Sequence, residues 1–592
     1  MCGIIGQINF KNRIDVDLFV KMRDTLQHRG PDDKGLYISK NKCVALGHRR
    51  LSFIDLSDAG RQPMCNENQT IWLTCNGEIY NFPDLKKQLE EKGHIFSSKT
   101  DSEVIIHGYE EWGIDVLQKL KGMFAFAIYD KTRQTLFIAR DRFGIKPLYW
   151  YRDSNSFIFA SEIKGIIENP AVRKEIDFSS LSDYFAYRYV PSPKTIWKNI
   201  YKLPPAHFLE LNIAGNINLK EYWNLRFDSK KADEKDVVSK VNDLLRTSVQ
   251  SHVTSDVPVG SFLSGGYDSS ALVYYLNQLE HDTQTFSIGF EGWEKSEHQY
   301  AEIVSNHFKT RHTSTIIGPE SLDTVKELST FYDEPIADIS IVPTYLISKT
   351  AAENVKAVVS GEGADELFCG YTWQKEYHDF QTGVSRLSRF KNRMGLSKKP
   401  YAITQYSNAM AMGKFDSWNI GNLLNEDFIS DIPSESDWFY RKHYKKDLSP
   451  VKSFQNMDIK CFMAELVLTK IDRASMANSL EVRVPFLDHE LFEYLFKLDE
   501  SVYFKKNSTK FLLKENIKKV MPETILKRSK QGFVGPDSYY MDIDWYKSNL
   551  LGGELIKSDI IQKDELKRLI EEKDHWRLWK ILVFEFWYSR WA

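Results

Sequence analysis

The 592-residue chain lacks paired cysteines, long hydrophobic runs and a large net charge. Its six cysteines include no CxxC pair, which argues against a disulfide framework or structural zinc and favours a reducing compartment, so we expect a cytoplasmic protein. The longest apolar stretches, such as residues 123–129, are far shorter than the roughly 20 residues that span a bilayer. A net charge of -2 and a pI of about 6.7 offer no general attraction for nucleic acid or an anionic membrane. We therefore expect neither partner.

Two local features agree with a cytoplasmic protein that binds neither nucleic acid nor a membrane. The N-terminus has no basic region followed by an apolar core, so we expect no secretory signal. A basic run at residues 386–393 is expected to be a solvated helix face rather than a phosphate-binding surface.

The chain divides into two unlike halves. At about 100–200 residues per domain, the length predicts two to four domains. Up to about residue 161, short apolar runs alternate with turns, and one helical stretch occurs at 82–92, so this half is predicted to be α+β. The strand-like runs include residues 71–75, 123–129 and 135–139.

Prolines at 191–193 and 204–205 predict a linker between the halves. Beyond about residue 235, strands such as 285–288 and 355–359 alternate with helical segments, which is typical of a parallel α/β sheet. Residues 372–455 are expected to be helical, and Trp576, Trp579, Val583 and Trp587 recur at a helical spacing that is typical of packing. We predict these divisions: a first domain at 2–190, a linker at 191–234, a second domain at 235–540 and a helical extension at 541–592.

Cys2 is the most informative residue of the first half. Removal of Met1, which is usual before a small residue, would leave Cys2 with a thiol and a free α-amine. The amine has a reference pKa of about 7.7–8 and can act as a base beside the nucleophilic thiol. The alternative is a small hydrophobic residue beneath the first strand.

Two glycine-rich loops dominate the second half. Residues 264–270 (SGGYDSS) follow the strand-like run 257–263 and open the helix-like run 271–276, an arrangement that cradles anions at a helix N-terminus. No lysine follows the glycines, so the loop is not a Walker A motif, but Asp268 could hold Mg²⁺ against a pyrophosphate. An ordinary strand-to-helix turn is the alternative.

The second loop, residues 360–366 (SGEGADE), should lie at the same edge of the sheet, where open α/β sheets bind ligands. Asp365 is then a second candidate metal ligand, and Glu362 a candidate acid–base or positioning residue. A surface acidic turn is the alternative for this loop.

Polar segments also interrupt the strands of the first half, at residues 48–52, 76–81 and 100–103. An Asn side chain beside a Gly N–H can form an oxyanion hole, Arg can hold a carboxylate, and Glu or Asp can receive an ammonium group. Together these groups fit an amino acid whose side-chain carbonyl is attacked by Cys2. Singly, each could be a turn residue or an ion pair.

These segments resemble the glutamine-hydrolysing asparagine synthetase family. The first half is similar to class II glutamine amidotransferase domains, which have the N-terminal-nucleophile hydrolase sandwich fold, and the second to the family's ATP-pyrophosphatase domain. The resemblance covers most of residues 1–370 and 460–535. The matching motifs are residues 1–6, 28–32, 47–52, 76–81, 140–149, 333–335 and 472–488, together with both glycine-rich loops.

In the first half, the resemblance implies a glutaminase site. Cys2 is the expected nucleophile, and Asn76 with the Gly77 N–H is the expected oxyanion hole. The expected glutamine ligands are Arg50 for the α-carboxylate, Glu78 and Asp101 for the amino group, and Leu51, Asn76 and Gly77 around the substrate.

In the second half, the resemblance implies a site for ATP and Mg²⁺. Glu362 matches an acidic residue of the acyl-adenylate step, and Lys530 a lysine that stabilises charge during adenylation or ammonia attack, with a surface charge beside a turn as the alternative. The metal ligands implied are Asp268 and Asp365. The residues expected to contact ATP are Leu263, Ser264, Gly265, Gly266, Asp268, Ser269, Ile288, Ser360 and Gly361.

The implied reaction joins two half-reactions on the small molecules glutamine, aspartate and ATP. Glutamine hydrolysis at Cys2 would release ammonia internally to a β-aspartyl-AMP, giving asparagine, AMP and pyrophosphate. Departures at Tyr267, Ala364 and 532–536 leave the mechanism's chemical groups in place, but the acceptor stays open. The alternatives are an amidotransferase for another carboxylate, such as a uronic acid of surface polysaccharides, and a non-catalytic or glutaminase-only relative, against which the intact site residues argue. The resemblance also suggests a homodimer.

Overall fold

Two antiparallel six-stranded sheets form the N-terminal part of the computed structural model, which describes residues 2–383, 401–431, 435–505, 508–528 and 531–592. In spatial order, the first sheet comprises β10 (Ile200–Lys202), β8 (Tyr149–Arg152), β9 (Ser156–Ala160), β1 (Gly3–Asn9), β3 (Val44–Arg50) and β2 (Asp33–Ile38). The second comprises β12 (Ile217–Glu221), β11 (His207–Asn212), β7 (Thr135–Arg140), β6 (Gly122–Asp130), β5 (Ile71–Ile79) and β4 (Met64–Cys65). The basic run at 386–393 lies outside the described residues.

The period-2 alternation of β1 explains how the two sheets pack. Ile4 and Ile8 belong to the apolar cluster that joins the sheets, with Leu46, Ala125 and others. Ile5, on the opposite face, belongs to the larger core that includes the helices. Opposite faces of one strand therefore bury two layers, and the predicted α+β sandwich is confirmed.

The segment 191–234, which its prolines predicted to be a linker, instead contributes three short strands to these sheets. It carries β10, which pairs with β8, and β11, which pairs with β7 and β12. Pro191 and Pro193 precede β10, and Pro204 and Pro205 lie between β10 and β11, so no ladder hydrogen bond is lost. The chain therefore leaves the antiparallel part only after β12.

A five-stranded parallel sheet lies at the centre of the C-terminal part, which confirms the predicted α/β class. Its third strand, β13, ends directly before the first glycine-rich loop, and β16 directly before the second. The loops therefore meet at the carboxyl edge, as expected for neighbouring parallel strands. The spatial order is β15 (Arg311–Ile317), β14 (Gln284–Phe290), β13 (Val259–Phe262), β16 (Ala357–Val359) and β17 (Glu481–Arg483).

Helices cover the sheets on several sides. The N-terminal part has helices at Val16–Asp24, Phe82–Glu90, Glu103–Trp112, Val116–Lys119, Ile163–Ile167 and Phe178–Tyr187. The C-terminal part has helices at Glu234–His252, Tyr267–Gln278, His298–Phe308, Thr324–Leu328, Ile341–Ala352, Ala364–Phe368, Thr372–Gly383, Tyr401–Met410, Ser417–Leu423, Trp438–His443, Pro450–Met457, Leu468–Met476, His489–Phe496, Phe511–Ile517, Glu523–Leu526, Ile543–Leu550, Glu554–Lys557, Lys563–Glu571 and His575–Trp591, and a π-helical stretch at Asp458–Val467. Within the described ranges, the segment 372–455 is thus helical as predicted. No helix in them is both long and apolar enough to cross a bilayer.

The last helix is part of the main core rather than a peripheral extension. Trp579 and Trp587 are almost fully buried in it, as their spacing predicted. The buried Lys580 ammonium donates to the backbone carbonyls of Phe185, Ala411 and Gly413. This helix therefore joins the N-terminal part to the helical segment between β16 and β17.

Candidate active sites

Cys2 lies at the start of β1, buried among three polar contacts. Its backbone nitrogen donates to Asn76 Oδ1 at 2.9 Å, and its Sγ lies 3.9 Å from the Leu51 carbonyl oxygen. The Arg29 guanidinium donates to the Cys2 carbonyl at 3.1 Å. Burial raises the pKa of the Cys2 thiol, so it is protonated near neutral pH and needs a base at the moment of attack.

The two expected oxyanion donors adjoin Cys2. Asn76 is fully buried, and its Nδ2 has no hydrogen-bond partner among the described residues. A buried amide donor without a partner is costly, and a ligand oxygen would satisfy it. A Cβ at Gly77 would lie 2.2 Å from the Met123 carbonyl oxygen, so no side chain fits where the substrate must approach the backbone.

The expected glutamine ligands are buried around the same thiol, but their side chains already have protein partners. The Arg50 guanidinium donates to the carbonyls of Ser57 at 3.1 Å and Asp55 at 2.5 Å. Asp101 accepts from the Ile79 N–H at 2.6 Å. Burial raises the pKa of Glu78 and of Asp101, which an arriving ammonium group would oppose.

Arg483 and Glu481, on β17 of the C-terminal sheet, reach this site although the sequence did not predict either. Arg483 Nη2 lies 3.4 Å from Glu78 Oε1, and its Nε donates to Glu481 at 2.6 Å. The Arg483 carbonyl accepts from the Ser360 N–H at 2.9 Å. One fully buried residue therefore contacts the Cys2 site through its side chain and the second glycine-rich loop through its backbone.

A second buried charge cluster joins the two parts of the chain. Arg29 contacts Glu162 at 2.7 Å and Asp472 at 2.8 Å. Arg473 contacts Glu162 at 2.8 Å and Asp333 at 2.9 Å. All five side chains are at most 2% exposed, so each charge depends on its partners. The motifs containing Arg29, Asp333, Asp472 and Arg473 were recognised in the sequence, but Glu162 and the pairing of these charges were not.

The first glycine-rich loop has the backbone geometry of an anion cradle. Ser269 Oγ accepts from the Ser264 N–H at 3.1 Å, and Gly266 is the N-cap of the helix Tyr267–Gln278. Gly265 has φ +69°, and a Cβ there would lie 2.5 Å from the Tyr300 backbone. Only glycine therefore fits this turn, and the helix N-terminus is available to a phosphate.

Seven of the nine residues expected to contact ATP line one cavity of about 540 Å³. Gly265 and Gly266 instead line a smaller adjacent cavity, together with Ser264 and Asp268. Gly361 approaches the other loop so closely that its Cβ would lie 3.0 Å from the Cβ of Asp268. The two glycine-rich loops are therefore in direct contact where they line the cavity. The lining residues include Leu263, Ser264, Ser269, Ile288, Ser360 and Gly361.

The two expected metal ligands are bridged by Lys510, which the sequence did not single out. The buried Lys510 ammonium contacts Asp268 directly and Asp365 at 2.7 Å. Burial disfavours the ammonium, but the two carboxylates outweigh it and raise the pKa of Lys510. A cation therefore fits between these carboxylates, whose oxygen atoms are ligands that Mg²⁺ prefers. The carboxylate oxygens of Asp268 and Asp365 therefore fit Mg²⁺ as ligands.

Replacement of Lys510 by methionine is expected to tighten nucleotide-free Mn²⁺ binding by about tenfold, or 1.4 kcal/mol. The reason is that the ammonium competes with a divalent ion for the same two carboxylates. Titration calorimetry or Mn²⁺ spin resonance would measure the dissociation constant. Lys518→Met is the matched control, because the exposed Lys518 pairs with Glu515 rather than with Asp268 or Asp365 and its loss should leave the constant unchanged. Equal or weaker binding in the Lys510 variant would contradict the competition.

Glu362 lines the same cavity, and its Oε2 is buried without a hydrogen-bond partner among the described residues. Lys530 lies outside the described residues, so its predicted role stays a prediction. The departures from the family pattern leave the cradle intact: Tyr267 donates to the Leu526 carbonyl at 2.5 Å, and Ala364 is buried at the start of its helix.

Comparisons with known proteins cover both halves of the chain. Residues 1–223 match the glutamine amidotransferase domain family, and residues 240–589 match the asparagine synthase family. Asparagine synthetase [glutamine-hydrolyzing] 1 of Bacillus subtilis (strain 168) is 32% identical over 100% of this chain and 96% of its own length. Putative asparagine synthetase [glutamine-hydrolyzing] 2 of Methanocaldococcus jannaschii is 34% identical over 82% of this chain and 100% of its own length. The chain therefore belongs to the glutamine-hydrolysing asparagine synthetase family.

Proposed function

We propose that this protein makes asparagine from aspartate, with glutamine as the nitrogen donor and Mg-ATP as the activating substrate. The observation that carries the proposal is that Arg483 contacts both sites. Its side chain contacts Glu78, and its backbone carbonyl accepts a hydrogen bond from the Ser360 N–H. A thiol site with an unpaired amide donor and a loop site with paired carboxylates thus belong to one buried framework. The relatives' names supply the product.

At the first site, the Cys2 thiol attacks the side-chain amide carbon of glutamine as its proton passes to the α-amine left by removal of Met1. Asn76 Nδ2 and the Gly77 N–H stabilise the oxyanion. The proton then leaves with ammonia, and water cleaves the thioester to glutamate. Arg50 would hold the α-carboxylate, and Glu78 with Asp101 the ammonium group.

At the second site, the loop 264–269 binds the pyrophosphate portion of ATP while Leu263 and Ile288 enclose the base. Asp268 and Asp365 would hold Mg²⁺, which supplies positive charge against the phosphates. Glu362 would act in the adenylate step, and Lys530 would stabilise charge. The aspartate side-chain carboxylate attacks the α-phosphorus and releases pyrophosphate, and ammonia then displaces AMP.

Ammonia has to travel between the sites unprotonated, because an ammonium ion is not a nucleophile. The buried contacts of Arg29 with Asp472 and of Arg483 with Glu78 support a closed interface between the sites. Apart from the linker at 191–234, the domain divisions stay predictions, as do a homodimer and a cytoplasmic location. Sedimentation of the purified protein would test the homodimer.

One assay tests the proposal. The protein is incubated with glutamine labelled with ¹⁵N in its side-chain amide, Mg-ATP and aspartate, and AMP, pyrophosphate and labelled asparagine are measured. We expect aspartate-dependent formation of all three in equal amounts. Glutaminase activity without aspartate-dependent AMP would overturn the proposal, and AMP formation with a uronic acid instead would establish the alternative acceptor.

A further inference from the structure

The ATP cavity extends beyond the nucleotide loops to a second group of charged residues. Its lining continues from Glu362 and Ser360 to Arg188, Asp338 and Lys470. No role was predicted for these three residues. They come from three separate segments, since Arg188 follows the helix Phe178–Tyr187, Asp338 precedes the helix Ile341–Ala352, and Lys470 lies in the helix Leu468–Met476.

The three charges are connected through Ser340. Lys470 Nζ donates to Ser340 Oγ at 2.9 Å, and that hydroxyl donates to Asp338 Oδ1. Arg188 Nη1 lies 3.6 Å from Asp338 Oδ2, which is longer than a hydrogen bond. Burial opposes ionisation of Asp338, but Lys470 and Arg188 outweigh it and lower its pKa, so the cluster contains two positive charges and one negative charge.

Arg188 has unused hydrogen-bonding capacity in this cavity. The residue is only 8% exposed, and its Nε has no hydrogen-bond partner among the described residues. Its Nη1 donates only to the sulfur of Met412, at 3.7 Å, and a thioether is a weak acceptor. Meanwhile its backbone carbonyl accepts from the Ala337 N–H at 2.9 Å, which fixes the segment beside Asp338. A buried guanidinium N–H without a described partner, on a residue that lines a cavity, requires an explanation.

An α-amino acid matches these three charged groups better than a uronic acid does. Its carboxylate matches the planar donors of Arg188 and the ammonium of Lys470. Its ammonium group matches Asp338. A uronic acid carries one carboxylate and neutral hydroxyls, so it would offer no cation to this carboxylate.

We propose that Arg188 and Lys470 bind the α-carboxylate, and Asp338 the α-ammonium group, of the acceptor amino acid. The side-chain carboxyl of the acceptor then extends toward Glu362 and the glycine-rich loops. The three residues thus determine which acid receives the nitrogen. This inference rests on the proposed function and names the acceptor class of that same site.

The test compares acceptors that each lack one group. Succinate lacks the ammonium group of aspartate, and β-alanine lacks the α-carboxylate. For Asp338→Asn we expect the KM for aspartate to rise at least about tenfold, as for loss of a charged hydrogen bond, and the preference for aspartate over succinate to fall by a similar factor. For Arg188→Gln we expect the preference over β-alanine to fall instead. The KM for ATP and the glutaminase rate should stay unchanged in both.

Arg577→Gln is the matched control, because its guanidinium donates to the Lys414 carbonyl and to Asn419 outside the cavity. If the Arg188→Gln variant loses glutaminase activity, the Arg188→Lys variant is tested in its place. Its preference for aspartate over β-alanine is then expected to fall by less. An aspartate KM within twofold of the wild type, or unchanged preferences, would overturn this inference alone. Absence of aspartate-dependent AMP in the wild type would overturn the proposed function and the inference together.

Discussion

Replacement of Cys2 by alanine is expected to reduce glutamine-dependent asparagine formation by at least about 10³-fold, because it removes the thiol that forms the thioester. Synthesis from added ammonium salt should continue at the wild-type rate. The second site keeps its loops and carboxylates, none of which contacts the Cys2 thiol. Product formation is measured with each nitrogen source in parallel at the same ATP and aspartate concentrations.

Cys43→Ala is the control for this prediction. Cys43 lies in the same N-terminal part, half-buried, with its thiol directed at the Asn41 carbonyl, and its replacement should change neither activity. Retained glutamine use in the Cys2 variant would show that another residue is the nucleophile. Loss of both activities would show that the sites are not separable.

Replacement of Arg29 by methionine is expected to destabilise the protein by about 3–5 kcal/mol, the usual cost of removing one partner from a buried ion pair. The substitution leaves the carboxylates of Glu162 and Asp472 with less compensation and removes the donor to the Cys2 carbonyl. The urea midpoint of unfolding should therefore fall, and glutaminase activity should fall with it.

The surface variant Arg61→Met is the comparison for this effect. Arg61 is 54% exposed and pairs with Asp33 at 3.4 Å, so its loss should cost less than about 1 kcal/mol. A double replacement, Arg29→Met with Asp472→Asn, should recover part of the stability, because the second charge is then also removed. An Arg29 variant with an unchanged urea midpoint would mean that water or rearranged partners compensate the carboxylates.

The chemistry of both sites was predictable from the sequence because it lies in short local motifs. Gly77, within β5, and Gly265, in the first glycine-rich loop, accept no side chain in the structure, and this is why glycine at these two positions was informative. Asn76 adjoins Cys2 as the resemblance implied. Residue type and backbone conformation are both local properties, so the neighbouring residues in the sequence indicate them.

The residues that were missed depend on contacts between distant parts of the chain. Lys510 contacts Asp268 from 242 positions away, and Arg29 contacts Asp472 from 443 positions away. No local pattern distinguishes such a lysine or arginine from a solvated one. The linker prediction failed for a related reason: the prolines were visible, but the pairing of β11 with β7 is a tertiary contact.

The buried pair of Arg29 and Asp472 bears on why one polypeptide carries both activities. A glutaminase made as a separate subunit would have to bring these two charges together by association, which costs about 4–15 kcal/mol in lost translational and rotational freedom. It would also have to expose Arg29 to water before docking and remove that hydration each time. Within one chain, tethering replaces this association step with a high effective concentration. Covalent fusion thus keeps the ammonia source permanently beside its consumer.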